Sequence, residues 1–300
     1  MNPLLLLIYI TQCITSVTDS PVRKKEFLVC GDSKVLIVDY EASKDSLPSI
    51  SWQWDAKEAT TLPEKYQTTY FRTVDDSKSV GGGKQILVSS SSGGVVLLNR
   101  ADKKVLFYAQ VPNAHSIELL PNNRIAVAGS TGVGGNCVAL YNIGEPDQQL
   151  FRDSLYSGHG LVWDAKRKKL YALGYEELRQ YVLKDWSGKS PKLLLEKKWK
   201  IPGIGGHDLQ MAPNGNSLFL TEHESPWVFS LQKFDFNKLP ELAGIANVKS
   251  FGKHADTGQL IFTIPEERWW TFHVKFKNPA RSFAFPEMHV YKARWVNDKY

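Results

Sequence analysis

Three histidines recur at similar places in a set of internal repeats, and the imidazole is the side chain best suited to acid/base chemistry near neutral pH. His115 lies in Ala-His-Ser, His159 in Gly-His-Gly and His207 in Gly-His-Asp. Each histidine precedes a short apolar run, a polar turn and a second apolar run. We therefore expect the three imidazoles to occupy equivalent positions in successive structural units, and they are the candidate catalytic residues.

Two kinds of chemistry suit such a set of histidines. Three neutral imidazoles with an open position could bind a divalent transition metal as a Lewis acid. Alternatively, one histidine acts as general acid or base while Lys249 or Arg72 neutralises an anionic substrate. A wide channel would hold three histidines too far apart to share one ion, which favours the second kind. The metal cofactor remains an open alternative.

The elements that position the histidines form a countable repeat. A second strand begins ten or eleven positions after each histidine, as Ile125 does after His115. The same interval places Asp76 and Lys249 at the corresponding positions of two further repeats. Five repeats of four short strand-like segments each therefore begin near residues 72, 112, 156, 204 and 246.

Four short strands in a repeat of this length are typical of a β-propeller blade. The N-terminal segments 26–30, 34–39 and 50–54 supply a sixth unit that lacks an innermost strand. We expect the strand-like segment 289–296 to take that place, because pairing the two chain ends removes exposed sheet edges. The prediction is an all-β fold: a six-bladed β-propeller with four-stranded blades, closed by pairing the C-terminal strand with the N-terminal blade.

In a propeller the innermost strand of each blade lines the central channel, so the residue at its start should lie at the channel mouth. All six predicted mouth residues are polar or ionisable: His289, Asp76, His115, His159, His207 and Lys249. The residue type changes around the ring, which favours an asymmetric ligand pocket. The alternative is a structural hydrogen-bond network that includes Ser116 and Asp208.

Further candidate ligand-binding residues flank the mouth. Trp269 and Trp270 lie in an aromatic loop of the repeat that begins near residue 246, where adjacent indoles could stack on sugar rings or pack between blades. Arg72 and Asp208 complete the predicted ligand-binding set. The expected ligand is a small molecule or an oligosaccharide, and we expect the protein to be a monomer.

The N-terminus resembles an export signal. The apolar run 4–10 is too short to span a bilayer and resembles the core of a signal peptide. We therefore divide the chain into a signal peptide or lipoprotein signal over 1–20 and a single propeller domain over 21–300. Cys13 follows the apolar run, so a lipid anchor at this cysteine, and with it membrane association, is an alternative to cleavage. The predicted location is periplasmic, cell-surface or extracellular.

The net charge of +6 does not indicate a nucleic-acid-binding protein. Its basic clusters at 23–25, 166–169 and 197–200 fall in a tail, a turn and a strand end, where solvation explains them. The charge is compatible with an anionic ligand. Cys30 and Cys137 match no metal-binding spacing and are expected to be structural.

The segments 27–33, 86–94, 114–121, 157–160 and 205–209 are similar to those of a family of secreted β-propeller proteins of unknown function. That family is common in Bacteroidetes and other bacteria that degrade polysaccharides. The resemblance covers nearly the whole chain and implies an exported propeller, but it carries no activity. From the asymmetric polar ring, the nearby aromatic residues and the predicted export, we expect a carbohydrate or another anionic ligand at the channel mouth, with a polysaccharide lyase or hydrolase activity. The alternative is a non-catalytic binding or scaffold role.

Overall fold

The computed structural model describes residues 24–296, which form six four-stranded antiparallel sheets arranged as a ring. The all-β, six-bladed propeller that the repeats predict is confirmed. The strands of blade one are β1 (Glu26–Gly31), β2 (Lys34–Lys44) and β3 (Leu47–Asp55). The strands of blades two to six, in chain order, are β4 (Val74–Val80), β5 (Gln85–Ser90), β6 (Gly94–Asn99), β7 (Val105–Gln110), β8 (Ala114–Leu120), β9 (Arg124–Gly129), β10 (Cys137–Asn142), β11 (Gln149–Ser154), β12 (Gly160–Asp164), β13 (Lys169–Leu173), β14 (Glu177–Lys184), β15 (Lys192–Lys200), β16 (Asp208–Met211), β17 (Ser217–Thr221), β18 (Pro226–Ser230), β19 (Phe236–Lys238), β20 (Ser250–Lys253), β21 (Leu260–Thr263), β22 (His273–Lys277) and β23 (Arg281–Ala284).

The last strand, β24 (Val290–Trp295), closes the ring by becoming the innermost strand of blade one. It pairs antiparallel with β1, with Phe27 opposite Trp295 and Cys30 opposite Lys292. The predicted closure between the two chain ends is therefore confirmed. Gly31 permits this contact, because a Cβ at that position would lie 1.9 Å from the carbonyl oxygen of His289.

The central strands of the blades are buried on both faces, because each blade is packed between two others. All six residues of β1 are buried, and so are all four of β21. This explains why these strands are nearly continuous apolar runs rather than alternating ones. Outer strands such as β15 are mostly exposed and carry charged residues. Between blades six and one, Phe27 stacks on Phe283 and both pack against Phe276.

Within residues 24–296, three short turns of helix connect parts of the ring, at Ala56–Glu58, Tyr66–Tyr70 and Pro240–Leu242. The sequence pattern does not predict the turn at Tyr66–Tyr70, because tertiary contacts rather than apolar periodicity position it. Tyr66 is buried and its hydroxyl donates a 2.5 Å hydrogen bond to Asp147 in blade three. In the part of the chain that the structure describes, no helix has the length and apolar character needed to cross a membrane. The predicted signal segment and Cys13 lie outside the described residues.

Candidate functional site

A β-bulge at the start of the innermost strand sets apart one residue in several blades. In blade three, Ala114 pairs with Gly129 and Ser116 pairs with Ala128, which leaves His115 as the extra residue between them. Blade two has the same irregularity between Val74 and Asp76. Such bulges re-aim a side chain and are frequent next to functional sites. The residues at this position form what we call the mouth ring.

The mouth ring differs from the predicted set at two positions. The extra residue of blade two is Asp75, not Asp76, and that of blade one is Tyr291, not His289. In blade two the turn between β4 and β5 is one residue longer than the turn between β8 and β9, so counting back from the second strand gives Asp76. In blade one no turn joins β24 to β1, and no such count exists. The innermost strands of blades four to six, which lie within residues 24–296, have no such bulge, and the corresponding residue directly precedes each strand. The mouth ring is Tyr291, Asp75, His115, His159, His207 and Lys249.

The structure brings the three predicted histidines together. The ring centroids of His115 and His159 are 4.2 Å apart, and those of His159 and His207 are 5.8 Å apart. At one end of this row, Lys249 Nζ lies 2.8 Å from His207 Nε2. At the other end, His115 Nε2 lies 3.9 Å from a carboxylate oxygen of Asp75.

Two of the histidines are held by the same local contact. His115 Nδ1 lies 3.0 Å from the carbonyl oxygen of Asn113, and His159 Nδ1 lies 2.9 Å from that of Ser157. A carbonyl oxygen can only accept, so each neutral imidazole must carry its proton on Nδ1. Nε2 then bears the lone pair, which is the form that a general base requires.

His207 reaches the same tautomer by a different route. The protonated Lys249 ammonium has donors and no acceptor, so it donates to Nε2 of His207 and the imidazole proton sits on Nδ1. That Nδ1 is buried and has no hydrogen-bond partner within residues 24–296. A buried donor without an acceptor costs folding free energy, so the site is suited to a ligand that supplies an acceptor.

Burial dominates the protonation states of the mouth ring. It lowers the pKa of His115, lowers that of His159 well below the ordinary value and lowers that of His207 to about 2. Burial, assisted by the charge of Lys292, lowers the pKa of Lys249 to about 8. The pKa of Asp75 is raised by burial. At neutral pH the ring therefore holds neutral imidazoles beside an ammonium group.

Below the mouth ring, an ionic network fills the channel. Arg294 Nε lies 2.6 Å from Asp76, and its NH2 group lies 2.5 Å from Asp208 on the opposite side of the channel. These charges, against the effect of burial, keep the pKa of Asp76 low and that of Arg294 high. Lys292 Nζ is fully buried, 3.4 Å from Asp208, and makes no hydrogen bond in the described part of the chain. Asp76 and Asp208 therefore lie one layer deeper than predicted for ligand contact.

The remaining predicted ligand residues are dispersed. The ring of Trp270 lies 5.5 Å from that of Tyr291 and borders the mouth, whereas Trp269 is 54% exposed. Arg72 is exposed ahead of β4. His289 lies outside the mouth ring, half exposed, with its Nδ1 3.0 Å from Asp32.

His223 is not among the predicted site residues, although its turn could be predicted as either a surface loop or a contact at the rim; the loop after β17 places it beside the mouth ring. Its ring centroid lies 5.0 Å from that of His207. Lys292 and Arg294 were also missed, although two cations spaced two apart in an otherwise apolar strand indicate one shared face. No signal in the repeat count identifies His223, because it follows the second strand rather than the first.

The arrangement of potential metal ligands does not favour a metal site at the three histidines. Within residues 24–296, no three His, Cys, Asp or Glu side chains are grouped so that they could hold a metal ion. The Lys249 ammonium occupies the position next to His207 Nε2, and a cation there opposes a second cation. The arrangement therefore favours acid/base chemistry or ligand binding without a metal.

Residues 14–300 match the model of a protein family described as Family of unknown function (DUF6528). The chain belongs to this family. A search of curated proteins found no match to this DUF6528 protein.

Solved structures resemble the DUF6528 chain in fold. A chain of a nidogen/laminin complex has a TM-score of 0.62 at 11% identity, covering 92% of this chain and 100% of its own. The WD40 β-propeller domain of Doa1 has a TM-score of 0.55 at 10% identity, covering 81% of this chain and 76% of its own. A chain of a mitotic checkpoint complex has a TM-score of 0.55 at 13% identity, covering 86% of this chain and 71% of its own. At these identities the likeness concerns the propeller fold alone.

Proposed function

We propose that this DUF6528 protein binds an acidic carbohydrate or a related anionic ligand at the mouth ring and uses the ring histidines for acid/base chemistry, as a polysaccharide lyase or hydrolase. The observation that carries the proposal is the buried Lys249 ammonium 2.8 Å from the neutral imidazole of His207, in line with two further neutral imidazoles. A cation and lone-pair bases in one pocket are what proton abstraction beside a carboxylate requires.

The charge balance supports an anion at this position. Lys249 and the buried Lys292 are cationic, whereas burial raises the pKa of Asp75 and so favours its neutral form. Deeper in the channel, Arg294 is already paired with Asp76 and Asp208. The ligand carboxylate would accept from Lys249. A second acceptor on the ligand would satisfy the unpartnered Nδ1–H of His207, which lies on the other edge of the imidazole from Nε2.

In the lyase form, an imidazole Nε2 removes the proton from the carbon next to the uronate carboxylate. The electron pair of that C–H bond forms a carbon–carbon double bond, the bond to the glycosidic oxygen breaks, and that oxygen takes up a proton from the imidazolium that has formed, which restores the neutral base. Lys249 stabilises the negative charge that develops on the carboxylate. His159 is the preferred base, because its imidazole lies between those of His115 and His207. The hydrogen bonds of this imidazole within residues 24–296 all involve Nδ1, which leaves Nε2 for the substrate. In the hydrolase form the same lone pair activates a water molecule.

The surroundings of the mouth are compatible with a sugar ligand. Tyr291 and Trp270 form an aromatic wall next to His115, and aromatic faces pack against the apolar face of a sugar ring. Export belongs to the same proposal and rests on the apolar run 4–10, with the lipid anchor at Cys13 as its variant. We also propose that the protein is monomeric and acts on a small molecule or an oligosaccharide rather than on nucleic acid.

A second candidate is a non-catalytic binding or scaffold propeller. It is favoured by the repeated bond from a histidine Nδ1 to the carbonyl oxygen two residues earlier, which His115 and His159 share. Such a contact also fixes the loop that enters the innermost strand. This candidate predicts that histidine variants lose stability without losing a ligand-specific activity.

The test is turnover of a panel of acidic oligosaccharides (oligogalacturonate, oligoalginate and hyaluronan fragments) by the wild type and by His115→Ala, His159→Ala and His207→Ala. Unsaturated products are followed by ultraviolet absorbance and new reducing ends by a colorimetric assay. We expect His159→Ala to lose at least about a hundredfold in turnover, with His289→Ala as the matched control outside the mouth ring. Unchanged turnover in all three variants, or no turnover by the wild type, contradicts catalysis. Lower melting temperatures without an effect on ligand binding favour the scaffold.

A further inference from the structure

A cavity lies at the opposite end of the channel from the mouth ring. Its volume is about 330 Å³, and the ends of the innermost strands β4, β8, β12, β16 and β24 contribute to its wall. The innermost strands begin at the mouth ring and end at this cavity, and the pairs of Arg294 with Asp76 and Asp208 lie between the two. A volume of this size is at the lower end of small-molecule sites and accommodates about one sugar ring.

The ionised groups in the wall of this cavity are paired, apart from Lys166 at its edge. Lys78 Nζ lies 2.9 Å from Glu118 and also donates a 2.6 Å hydrogen bond to the carbonyl oxygen of Leu161. Asp164 is paired with Arg167 at 2.8 Å. Lys166 is exposed at the edge of the cavity. A charged ligand would therefore bury its charge against groups that already have partners, which is unfavourable.

Two neutral polar side chains in the wall retain hydrogen-bonding capacity. Ser79 Oγ is a buried atom without a hydrogen-bond partner in the described residues. Gln210 uses its amide NH2 group to donate to Asp208 and to the carbonyl oxygen of Phe251, and its side-chain oxygen remains an acceptor. A hydroxyl group on a ligand can both donate and accept, and so can satisfy each of them.

The rest of the wall is apolar and partly aromatic. Trp163 contributes an indole, and Val162, Leu209 and Met211 contribute aliphatic or thioether surface. Apolar walls with a few placed polar groups are typical of small-molecule sites. The flat face of a hydroxylated ring would pack on this surface while its hydroxyl groups reach Ser79 and Gln210.

We propose that this cavity is a second binding site, distinct from the mouth ring, for a neutral hydroxylated ring compound of the size of one neutral monosaccharide. It does not depend on the acid/base function of the mouth ring. A protein with both sites engages an anionic unit at one end of the channel and a neutral unit at the other.

The experiment measures binding of D-glucose, D-galactose, D-mannose and N-acetyl-D-glucosamine to the full chain by saturation-transfer NMR and titration calorimetry. We expect at least one of these sugars to bind saturably. Met211→Trp fills the cavity and should abolish that binding. Ser79→Ala removes a hydroxyl without a protein partner, so it should keep the melting temperature and weaken binding about threefold to tenfold. Lys249→Met, at the mouth ring, should leave neutral-sugar binding unchanged.

Three outcomes overturn the proposal. The first is that none of the four sugars binds saturably. The second is that wild type, Ser79→Ala and a folded Met211→Trp all bind the sugar with equal affinity; if Met211→Trp does not fold, equal affinities of wild type and Ser79→Ala decide the outcome. The third is that Lys249→Met abolishes neutral-sugar binding, which would place the sugar at the mouth ring. Failure of the mouth-ring proposal would instead appear as a lack of uronate turnover, which these measurements do not involve.

Discussion

Lys249 Nζ lies 2.8 Å from Nε2 of His207 and joins blade six to blade five at the channel mouth. The contact couples the charges of the two residues. With the ammonium donating to Nε2, protonation of His207 would place two cations against each other, which adds to the effect of burial on the imidazole. The pair therefore combines a neutral histidine with a lysine whose pKa, about 8, is within reach of neutral pH.

The neutral histidines make stability fall at low pH. An unfolded chain binds a proton on each histidine below a pKa of about 6.5. In the folded protein the pKa of His207 is lowered to about 2, so this imidazole stays neutral. The stabilisation is present above pH 6.5 and is lost as the pH falls from there toward 2. Between pH 7.5 and 5.0 we expect His207 to account for a loss of about 2 kcal/mol in the free energy of unfolding.

Urea denaturation at both pH values checks this for wild type and for His207→Asn, which cannot take up the proton. The loss between pH 7.5 and 5.0 should be smaller in His207→Asn by that amount. His289→Asn is the control, because its side chain is half exposed, and it should behave as wild type. Equal losses in wild type and His207→Asn would contradict a buried neutral imidazole.

Arg294 pairs with two buried carboxylates in the channel, and we expect its replacement to destabilise the protein. Arg294→Met leaves Asp76 and Asp208 buried without their main partner, so we expect a loss of about 3–5 kcal/mol in the free energy of unfolding. Lys253→Met is the matched control, because its pair with Glu241 is partly exposed, and it should lose less than about 1 kcal/mol. Urea denaturation at pH 7 measures both. Equal losses of unfolding free energy in Arg294→Met and Lys253→Met would contradict the assignment of a buried ionic network to the channel.

Closure of the ring depends on the absence of a side chain at Gly31. A Cβ there would lie 1.9 Å from the backbone oxygen of His289, and backbone cannot move aside without breaking the pairing of β1 with β24. Gly31→Ala should therefore destabilise the protein by more than about 2 kcal/mol. Gly144→Ala, where no atom lies within 4 Å of the new Cβ, is the control and should be nearly neutral. A melting temperature of Gly31→Ala equal to that of the control would contradict the closure.

The sequence predicts the blades and their closure because strand spacing and apolar runs are local properties that repeat. It also predicts His115, His159, His207 and Lys249 in the mouth ring. It misplaces the other two members, because bulges and turn lengths shift the register by one or two residues. The observed members are Asp75 and Tyr291, where the sequence predicts Asp76 and His289.

The deeper network could not be predicted for a different reason. Arg294 and Asp208 are 86 positions apart in sequence, and they meet only because the ring brings β24 of blade one and β16 of blade five to the same channel. No repeat contains both residues. The protonation states are likewise a result of burial, which repeat counting does not measure.

The affinity of D-galacturonate for wild type and for Lys249→Met, measured by titration calorimetry at pH 7.0 and pH 9.5, tests the mouth-ring account most directly. The account predicts that wild type binds at pH 7.0, that Lys249→Met binds at least about tenfold more weakly, and that wild-type affinity falls at pH 9.5 as Lys249 loses its charge above its pKa of about 8. Absence of binding by wild type, or equal affinities of wild type and Lys249→Met at pH 7.0, would contradict it.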